Sequence, residues 1–277
     1  MKKSLFLLCT FLFVQNLMAQ KEITLDDIWT DYTFLPKSVP GFNFQNDGKH
    51  YTRLEEKDIN QYDLTTGKLS GNIFNGDKYV QKEGFDGAFS AYEFSKDETK
   101  VLIETEREQI YRRSSRANFY VFDRDKKTMT SVSNEGKQRY ATFSPDASKV
   151  AFVRGNDLYY KDLGSGQEVR ITKDGKQNNI INGATDWVYE EEFAIARAFE
   201  WSPDGRRIAF MRFDESQVKE FTMTLFKGGL YPEYETFKYP KVGEANAKVT
   251  IHLYDVNSGS VIGAETGSSK DLSLIHI

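Results

Sequence analysis

One sequence pattern occurs four times in the chain: FNFQNDGKHYT from Phe42, YEFSKDETKVLI from Tyr92, ATFSPDASKVAFV from Ala141 and FEWSPDGRRIAFM from Phe199. Each copy begins with aromatic residues, continues through a polar turn and ends in an alternating strand. The third residues of the copies are spaced by 50, 49 and 58 positions, at Phe44, Phe94, Phe143 and Trp201. A unit of about 50 residues that holds three or four short strands is typical of one blade of a β-propeller.

The third copy shows the strands of one unit most clearly. Strands are predicted over residues 150–153, 158–163 and 168–172, because apolar and polar residues alternate there. The turns between them fall at Gly155-Asn156 and at Gly164-Ser165-Gly166, which are residue types that hairpin turns favour. A β-sandwich also consists of short strands joined by turns, and it is the alternative to a propeller. The regular period of the repeat favours the propeller.

The predicted fold class is therefore all-β, with about four to five propeller blades. The fifth blade is expected to begin at residues 249–255, VTIHLYD, where the alternation resumes after the fourth copy. The 21 Phe, 15 Tyr and 3 Trp residues agree with β structure, because aromatic side chains favour pleated, half-buried surfaces.

The stretch DWVYEEEFAIARAFE, residues 186–200, departs from the repeat and lengthens its last interval. Acidic residues followed by Phe and Ala, with no Gly or Pro, predict a short inserted helix. Segments that connect the regular strands often carry function, because they vary more freely than the scaffold. The insertion is therefore the first place to look for a binding site.

Three consecutive acids, Glu190, Glu191 and Glu192, lie within that stretch. One interpretation is a solvated helix start, where backbone N–H groups favour carboxylates. The other is a clamp for a cation such as a primary ammonium group, which has three hydrogen-bond donors to satisfy. Neighbouring helix positions point about 100° apart, so two of the three carboxylates can reach one ligand from one side.

Composition and missing motifs exclude several classes of function. The net charge is −4 with both signs mixed along the chain, so the basic surface that nucleic acid requires is lacking. The sequence has no G-x-S-x-G motif, no zinc or iron ligand spacing and no phosphate-binding loop. We therefore predict no cofactor, no metal and no catalytic residue, and we expect this chain by itself to be inactive.

Residues 1–19 are predicted to form a secretory signal peptide. Two lysines precede an apolar run over residues 5–14, and Ala19 provides a small residue at the cleavage point. The apolar run is shorter than the roughly 20 residues that a membrane span requires. We therefore expect a protein exported to the periplasm or secreted, without a stable membrane span.

The other end of the chain also departs from the repeat. Residues 267–277 finish in DLSLIHI, without a cap or turn that leads out of a domain, and are interpreted as a non-native, read-through tail. The folded part is then expected to be residues 20–266, a partial N-terminal β-propeller domain. The chain is accordingly expected to be a fragment.

The segment DWVYEEEF resembles the glutamate motif of the dipeptidyl peptidase IV family, in the prolyl oligopeptidase group of serine peptidases. ITKDGKQNNIINGATDW before it, FEWSPDGRRIAF after it, and the later FDESQVKEFTM and YPKVGEANAKV extend the similarity over residues 24–262. Ala247 departs from the family, which usually has Pro there.

This resemblance implies an eight-bladed propeller followed by an α/β-hydrolase domain with a Ser-Asp-His triad, a domain that this chain lacks. It implies an exopeptidase that releases X-Pro or X-Ala dipeptides from peptides with a free N-terminus. The resemblance also allows a homodimer of the full-length protein.

The resemblance also assigns site residues. Glu191 and Glu192 match the pair that binds the α-ammonium group of the substrate. Arg112, in QIYRRSSRANFYVFD, matches the arginine that binds a substrate carbonyl, although a basic run between strands is otherwise a solvated loop. The alternative function is a non-catalytic propeller of the cell envelope that binds peptides or glycans. A G-x-S-x-G motif in the gene beyond residue 266 would distinguish the two functions.

Overall fold

The structure is a computed structural model that describes residues 22–38 and 41–265. The chain divides into two compact units, residues 1–41 and 42–277. The described part of the first unit holds one short helix, α1 (Leu25–Trp29). Thr24 caps this helix, because its hydroxyl accepts from the Asp27 N–H at 3.1 Å while its own N–H donates to the Asp27 carboxylate at 3.0 Å.

The second unit contains three regular sheets, each of four antiparallel strands in chain order. The first sheet comprises β1 (Asn43–Phe44), β2 (His50–Glu55), β3 (Asp58–Asp63) and β4 (Leu69–Asn75). The second comprises β5 (Ala91–Phe94), β6 (Lys100–Gln109), β7 (Ser115–Asp123) and β8 (Thr128–Ser131). The third comprises β9 (Arg139–Phe143), β10 (Lys149–Arg154), β11 (Asp157–Asp162) and β12 (Glu168–Arg170). Two 3₁₀ turns, Gly76–Tyr79 and Lys82–Gly84, connect the first two sheets.

The fourth sheet differs from the others in its connections. Its strands are β13 (Ile180–Asn182), β14 (Phe199–Trp201), β15 (Arg207–Asp214), β18 (Lys248–Asp255) and β19 (Val261–Gly263). A separate hairpin, β16 (Glu220–Leu225) and β17 (Glu233–Lys238), is inserted between β15 and β18. Strands β14 and β13 pair with successive halves of β15, so the first strand of this sheet is split.

The repeat seen in the sequence corresponds to these four sheets. Its four aromatic positions are each the last residue of the first strand of a sheet: Phe44, Phe94, Phe143 and Trp201. The polar turn that follows is closed by the side chains, as where the Ser144 hydroxyl donates to the Asp146 carboxylate at 2.6 Å. The predicted strands of the third unit are confirmed to within two residues.

The prediction of a fifth blade at residues 249–255 is wrong. These residues belong to β18, which pairs with β15 along its whole length, from Arg207 opposite Asp255 to Asp214 opposite Lys248. An alternating pattern shows that a segment is a strand but does not specify its partner. The inserted hairpin separates two strands of one sheet, so in the sequence the later strand resembles the start of a new unit.

The predicted helix is confirmed but is shorter than residues 186–200. Helix α2 spans Trp187–Phe193 and ends at Ala194, which has a left-handed backbone with φ of 56°. Residues 199–201 form β14 instead, because they pair with β15. The insertion is thus a helix placed within the split first strand of the fourth sheet.

Apolar layers fill the space between neighbouring sheets. Val101 and Ile103 of β6 pack with Ile59 and Phe74 of the first sheet, whereas Leu102 packs toward the third sheet. Alternate residues of one strand therefore contact two different sheets. A β-sandwich shares one core between two sheets, so this series of layers excludes it and agrees with propeller blades.

The first strands of three sheets line one cavity of about 570 Å³. Glu93 of β5, Ala141 of β9 and Glu200 of β14 all face it, together with residues 194–197 that follow helix α2. The first strand of each of these sheets is an edge strand of its sheet and borders this cavity. Because α2 interrupts such a strand, its C-terminal end lies at this cavity.

Candidate functional site

Helix α2 contacts two other segments: the loop of residues 110–114 between β6 and β7, and the hairpin β16–β17. The two ends of the helical insertion are held together, because the Ala198 N–H donates to the Gly183 carbonyl at 3.0 Å. Gly183 has φ of +73°, and a Cβ there would lie 3.0 Å from the Leu158 side chain. Glycine at this position allows the chain to leave the strand and return to it.

Glu190 is buried, with 2% of its surface exposed. One of its oxygens, Oε1, accepts from the N–H of Arg113 at 2.7 Å and from the N–H of Ser114 at 2.8 Å. The interpretation of this acid as part of a solvated helix start is therefore wrong. Its charge is compensated by the backbone of the loop, which precedes it by more than 70 residues.

Glu191 forms an ion pair with Arg112, whose Nε lies 3.3 Å from its Oε2. The side chain of Glu191 is 15% exposed and that of Arg112 is 72% exposed. The structure therefore brings together two of the residues that the sequence singled out, and Arg112 lies in a loop as predicted. A guanidinium beside a carboxylate still has further N–H donors for an additional acceptor.

Glu192 is exposed, and no ion pair or hydrogen bond joins its carboxylate to the part of the chain that the structure describes. The three consecutive glutamates thus have three different surroundings: one is buried on the loop, one is paired with Arg112 and one faces solvent. A carboxylate that is not already paired can bind a cation without first losing a partner. Glu191 and Glu192 together present the acidic surface of the site.

Two further buried acids lie at the base of the helix. Asp186 caps α2, because its carboxylate accepts from the Tyr189 N–H at 2.9 Å, and burial raises its pKa to about 6. Burial, followed by the nearby charge of Asp186, raises the pKa of Glu215 to about 7, while Lys238 acts in the opposite direction. In the sequence Asp186 is recognisable only as the first acid of the stretch DWVYEEEF, and no pattern there marks Glu215.

An aromatic cluster supports the loop from the side of the hairpin. The ring of Tyr111 lies 6.0 Å from that of Phe237 in β17, and Phe237 lies 6.2 Å from Trp187 at the start of α2. Tyr239 packs edge-on against Trp187 at 4.8 Å. The hairpin therefore contacts both segments that carry the charged residues. In the sequence these positions are recognisable as aromatic, but their spacing along the chain does not show that the side chains contact one another.

The chemistry that this arrangement can perform is recognition of charge. Two carboxylates on one helix turn can bind a cationic group of a ligand. The guanidinium beside one of them can donate to a carbonyl group of the same ligand. Across residues 22–38 and 41–265, no group of three or more His, Cys, Asp or Glu side chains is placed to hold a metal ion. The same ranges contain no helix that is long and apolar enough to cross a membrane.

The fold and the site together define part of a β-propeller that carries an acidic helix. Residues 95–275 match the family model described as the dipeptidyl peptidase IV (DPP IV) N-terminal region. The chain belongs to this family, as the resemblance of the glutamate motif indicated.

Individual relatives agree with this assignment. The chain is 39% identical over 197 residues to the probable dipeptidyl-aminopeptidase B of Emericella nidulans, a match that covers 66% of this chain and 22% of that protein. It is 28% identical over 275 residues to dipeptidyl aminopeptidase B of Saccharomyces cerevisiae, a match that covers 85% of this chain and 33% of that protein. The crystal structure of Porphyromonas gingivalis dipeptidyl peptidase 4 superposes with a TM-score of 0.82 at 36% identity, over 91% of this chain and 36% of that one. The chain thus spans a third or less of the length of these two curated relatives.

Proposed function

We propose that this chain is the N-terminal, substrate-selecting region of an exported serine exopeptidase of the dipeptidyl peptidase IV type. The whole enzyme would release X-Pro and X-Ala dipeptides from peptides with a free N-terminus. The observation that carries this proposal is the pairing of Glu191 with Arg112 beside the exposed Glu192, on a helix inserted into the split first strand of a blade.

The physical basis is charge recognition at a fixed distance. An α-ammonium group has three N–H donors, and two carboxylates can accept from it through charge-assisted hydrogen bonds. Arg112 would reduce the repulsion between the two carboxylates and donate to the first peptide carbonyl. A substrate held by its N-terminus presents the same peptide bond to the nucleophile each time. The fixed distance from the N-terminal site to the nucleophile would then make the released product a dipeptide.

The bond-breaking residues would come from a part of the protein beyond this chain. We propose that an α/β-hydrolase domain with a Ser-Asp-His triad completes the enzyme, and that residues 20–266 alone bind but do not hydrolyse peptides. Under this proposal residues 1–19 direct export, and the full-length protein can form a homodimer. Residues 1–19 and 267–277 both lie outside the described residues.

The test is a steady-state assay of the full-length protein with Gly-Pro-nitroanilide. Glu191→Ala and Glu192→Ala should each lower kcat/KM by roughly one to two orders of magnitude, because each removes a charge-assisted bond of about 1.5–3 kcal/mol. Asp125→Ala, which removes an exposed acid from the turn after β7, is the matched control and should retain the wild-type rate.

A second substrate sharpens the assay. N-acetyl-Gly-Pro-nitroanilide carries no ammonium group, so the wild-type protein should not hydrolyse it. Equal turnover of the two substrates, or wild-type rates for both glutamate variants in folded protein, would contradict the proposed clamp. Absence of any turnover by the wild type would instead favour a non-catalytic propeller.

A further inference from the structure

Glu190 makes a contact that binding of a substrate ammonium does not explain. Its carboxylate is buried and faces away from the exposed side of α2, where Glu192 lies. Both of its described hydrogen bonds come from the backbone of the loop that carries Arg112, and both reach the same oxygen. A carboxylate buried in this way is retained only where it has partners, because burial of an unpaired charge is costly.

We propose that Glu190 is a positioning residue, which holds the backbone of the 110–114 loop so that Arg112 lies against Glu191 and can reach the substrate. This inference rests on the function proposed above. Glu190 would not touch substrate. It would act through Arg112, whose neighbour Arg113 is one of its two donors.

The side chain of Arg112 has little else to fix it. It is 72% exposed, and an exposed ion pair of this kind contributes little to holding a long, flexible side chain in one place. Its position therefore depends on where the backbone of the loop lies. Within the loop, the Ile110 N–H donates to the Ser114 carbonyl at 2.9 Å and the Tyr111 N–H to the Ser114 hydroxyl at 3.1 Å.

Those bonds close the loop on itself but do not attach it to the helix. Glu190 attaches the backbone of the loop to the helix, because the N–H groups of Arg113 and Ser114 point out of the loop to its Oε1. Glu190 and Glu191 are consecutive in α2, so one helix turn fixes both the loop backbone and the partner of Arg112. The first glutamate of the three would thus set the geometry in which the second and third act.

Two substitutions separate acceptor from charge. Glu190→Gln keeps a carbonyl oxygen that can accept from both N–H groups, whereas Glu190→Ala leaves both donors without a partner. In the full-length protein with Gly-Pro-nitroanilide, we expect Glu190→Ala to lower kcat/KM by about ten- to hundredfold and Glu190→Gln to recover most of that loss. Equal losses in the two variants, or none in Glu190→Ala, would overturn the proposal.

A double-mutant cycle shows whether the effect passes through Arg112. If Glu190 acts by positioning Arg112, then Glu190→Ala should lower kcat/KM by less than about threefold in a protein that already carries Arg112→Ala. A reduction as large as in the protein that retains Arg112 would show that Glu190 acts independently, and would overturn the proposal. A protein destabilised in general would also lose activity in both backgrounds, so the cycle distinguishes positioning from a structural role.

Amide hydrogen exchange gives a readout that does not depend on activity. The amides of Arg113 and Ser114 should exchange at least about tenfold faster in Glu190→Ala than in wild type, while amides of β10 remain unchanged. If the wild type proves inactive but this change is seen, the proposed function fails and the loop contact stands. Unchanged exchange at Arg113 and Ser114 would overturn the positioning role whatever the activity.

Discussion

The third and fourth sheets contain the same sequence pattern but differ in how their strands are connected. In the third sheet the chain runs through four strands without interruption, and β10 buries Val150 and Phe152 against the second sheet and Ala151 and Val153 against the fourth. In the fourth sheet the first strand is split by α2, and a hairpin is inserted before β18.

The third sheet contributes mainly to packing, whereas the insertions of the fourth sheet carry the groups of the candidate site. Both faces of the third sheet are covered by neighbouring sheets, and residues 150–153 of β10 and 158–160 of β11 form continuous apolar runs that are buried between them. The interruptions of the fourth sheet carry the polar groups that a site requires, including Asp186, Glu190 and Glu215 in buried positions. The same blade unit can therefore act as scaffold or as site, depending on what is inserted into it.

The largest expected effect lies in the third sheet. Phe152 is fully buried and stacks on Tyr159 at 5.5 Å, so Phe152→Ala should lower the free energy of unfolding by about 3–5 kcal/mol. Urea denaturation of the chain measures the change. Gln167→Ala, in the exposed turn before β12, is the control and should change stability by less than about 0.5 kcal/mol. A small effect of Phe152→Ala would mean that this sheet is not the scaffold.

One glycine from each region allows a direct comparison of how tightly the two regions are packed. Gly155, in a turn of the third sheet, has φ of +57°, and a Cβ added there would have no neighbour within 4 Å, whereas a Cβ at Gly183 would lie 3.0 Å from Leu158 and 3.1 Å from Val153. Gly155→Ala should cost only the backbone penalty of about 1 kcal/mol, and Gly183→Ala about 2–3 kcal/mol because neighbours must also shift. Denaturation midpoints provide the measurement. Equal losses would show that the start of the helical insertion is not tightly packed.

The smallest expected effect concerns pH. Glu215 has a folded pKa of about 7 against an ordinary value of 4.5, so between these values the folded state binds more protons than the unfolded state. Stability should therefore fall as pH rises from about 4.5 to 7, by on the order of 2 kcal/mol. Glu215→Gln should flatten this slope and make the chain more stable than wild type near pH 8. Parallel pH profiles of the two proteins, from urea denaturation, would contradict the assignment.

The sequence predicted more of the scaffold than of the site. The strands of the third sheet and the position of α2 follow from local patterns, and both are confirmed. Arg112 and Glu191 were singled out by resemblance to a family, and the structure places them in contact. The resemblance assigned no role to Glu190, because nothing in the acidic run shows that a loop of the second sheet would supply its partners.

Local residue order by itself determined the strands, the turns and the helix of this protein. Alternation with a period of two, turn residues such as Gly155, and the capping acid Asp186 act within a few positions along the chain, so they can be recognised without knowing the fold. Tertiary structure alone decided that β18 completes the fourth sheet and that Glu190 binds the backbone of Arg113. Those contacts join residues far apart in sequence, and they form only because neighbouring sheets bury their apolar faces against each other and bring the two segments together.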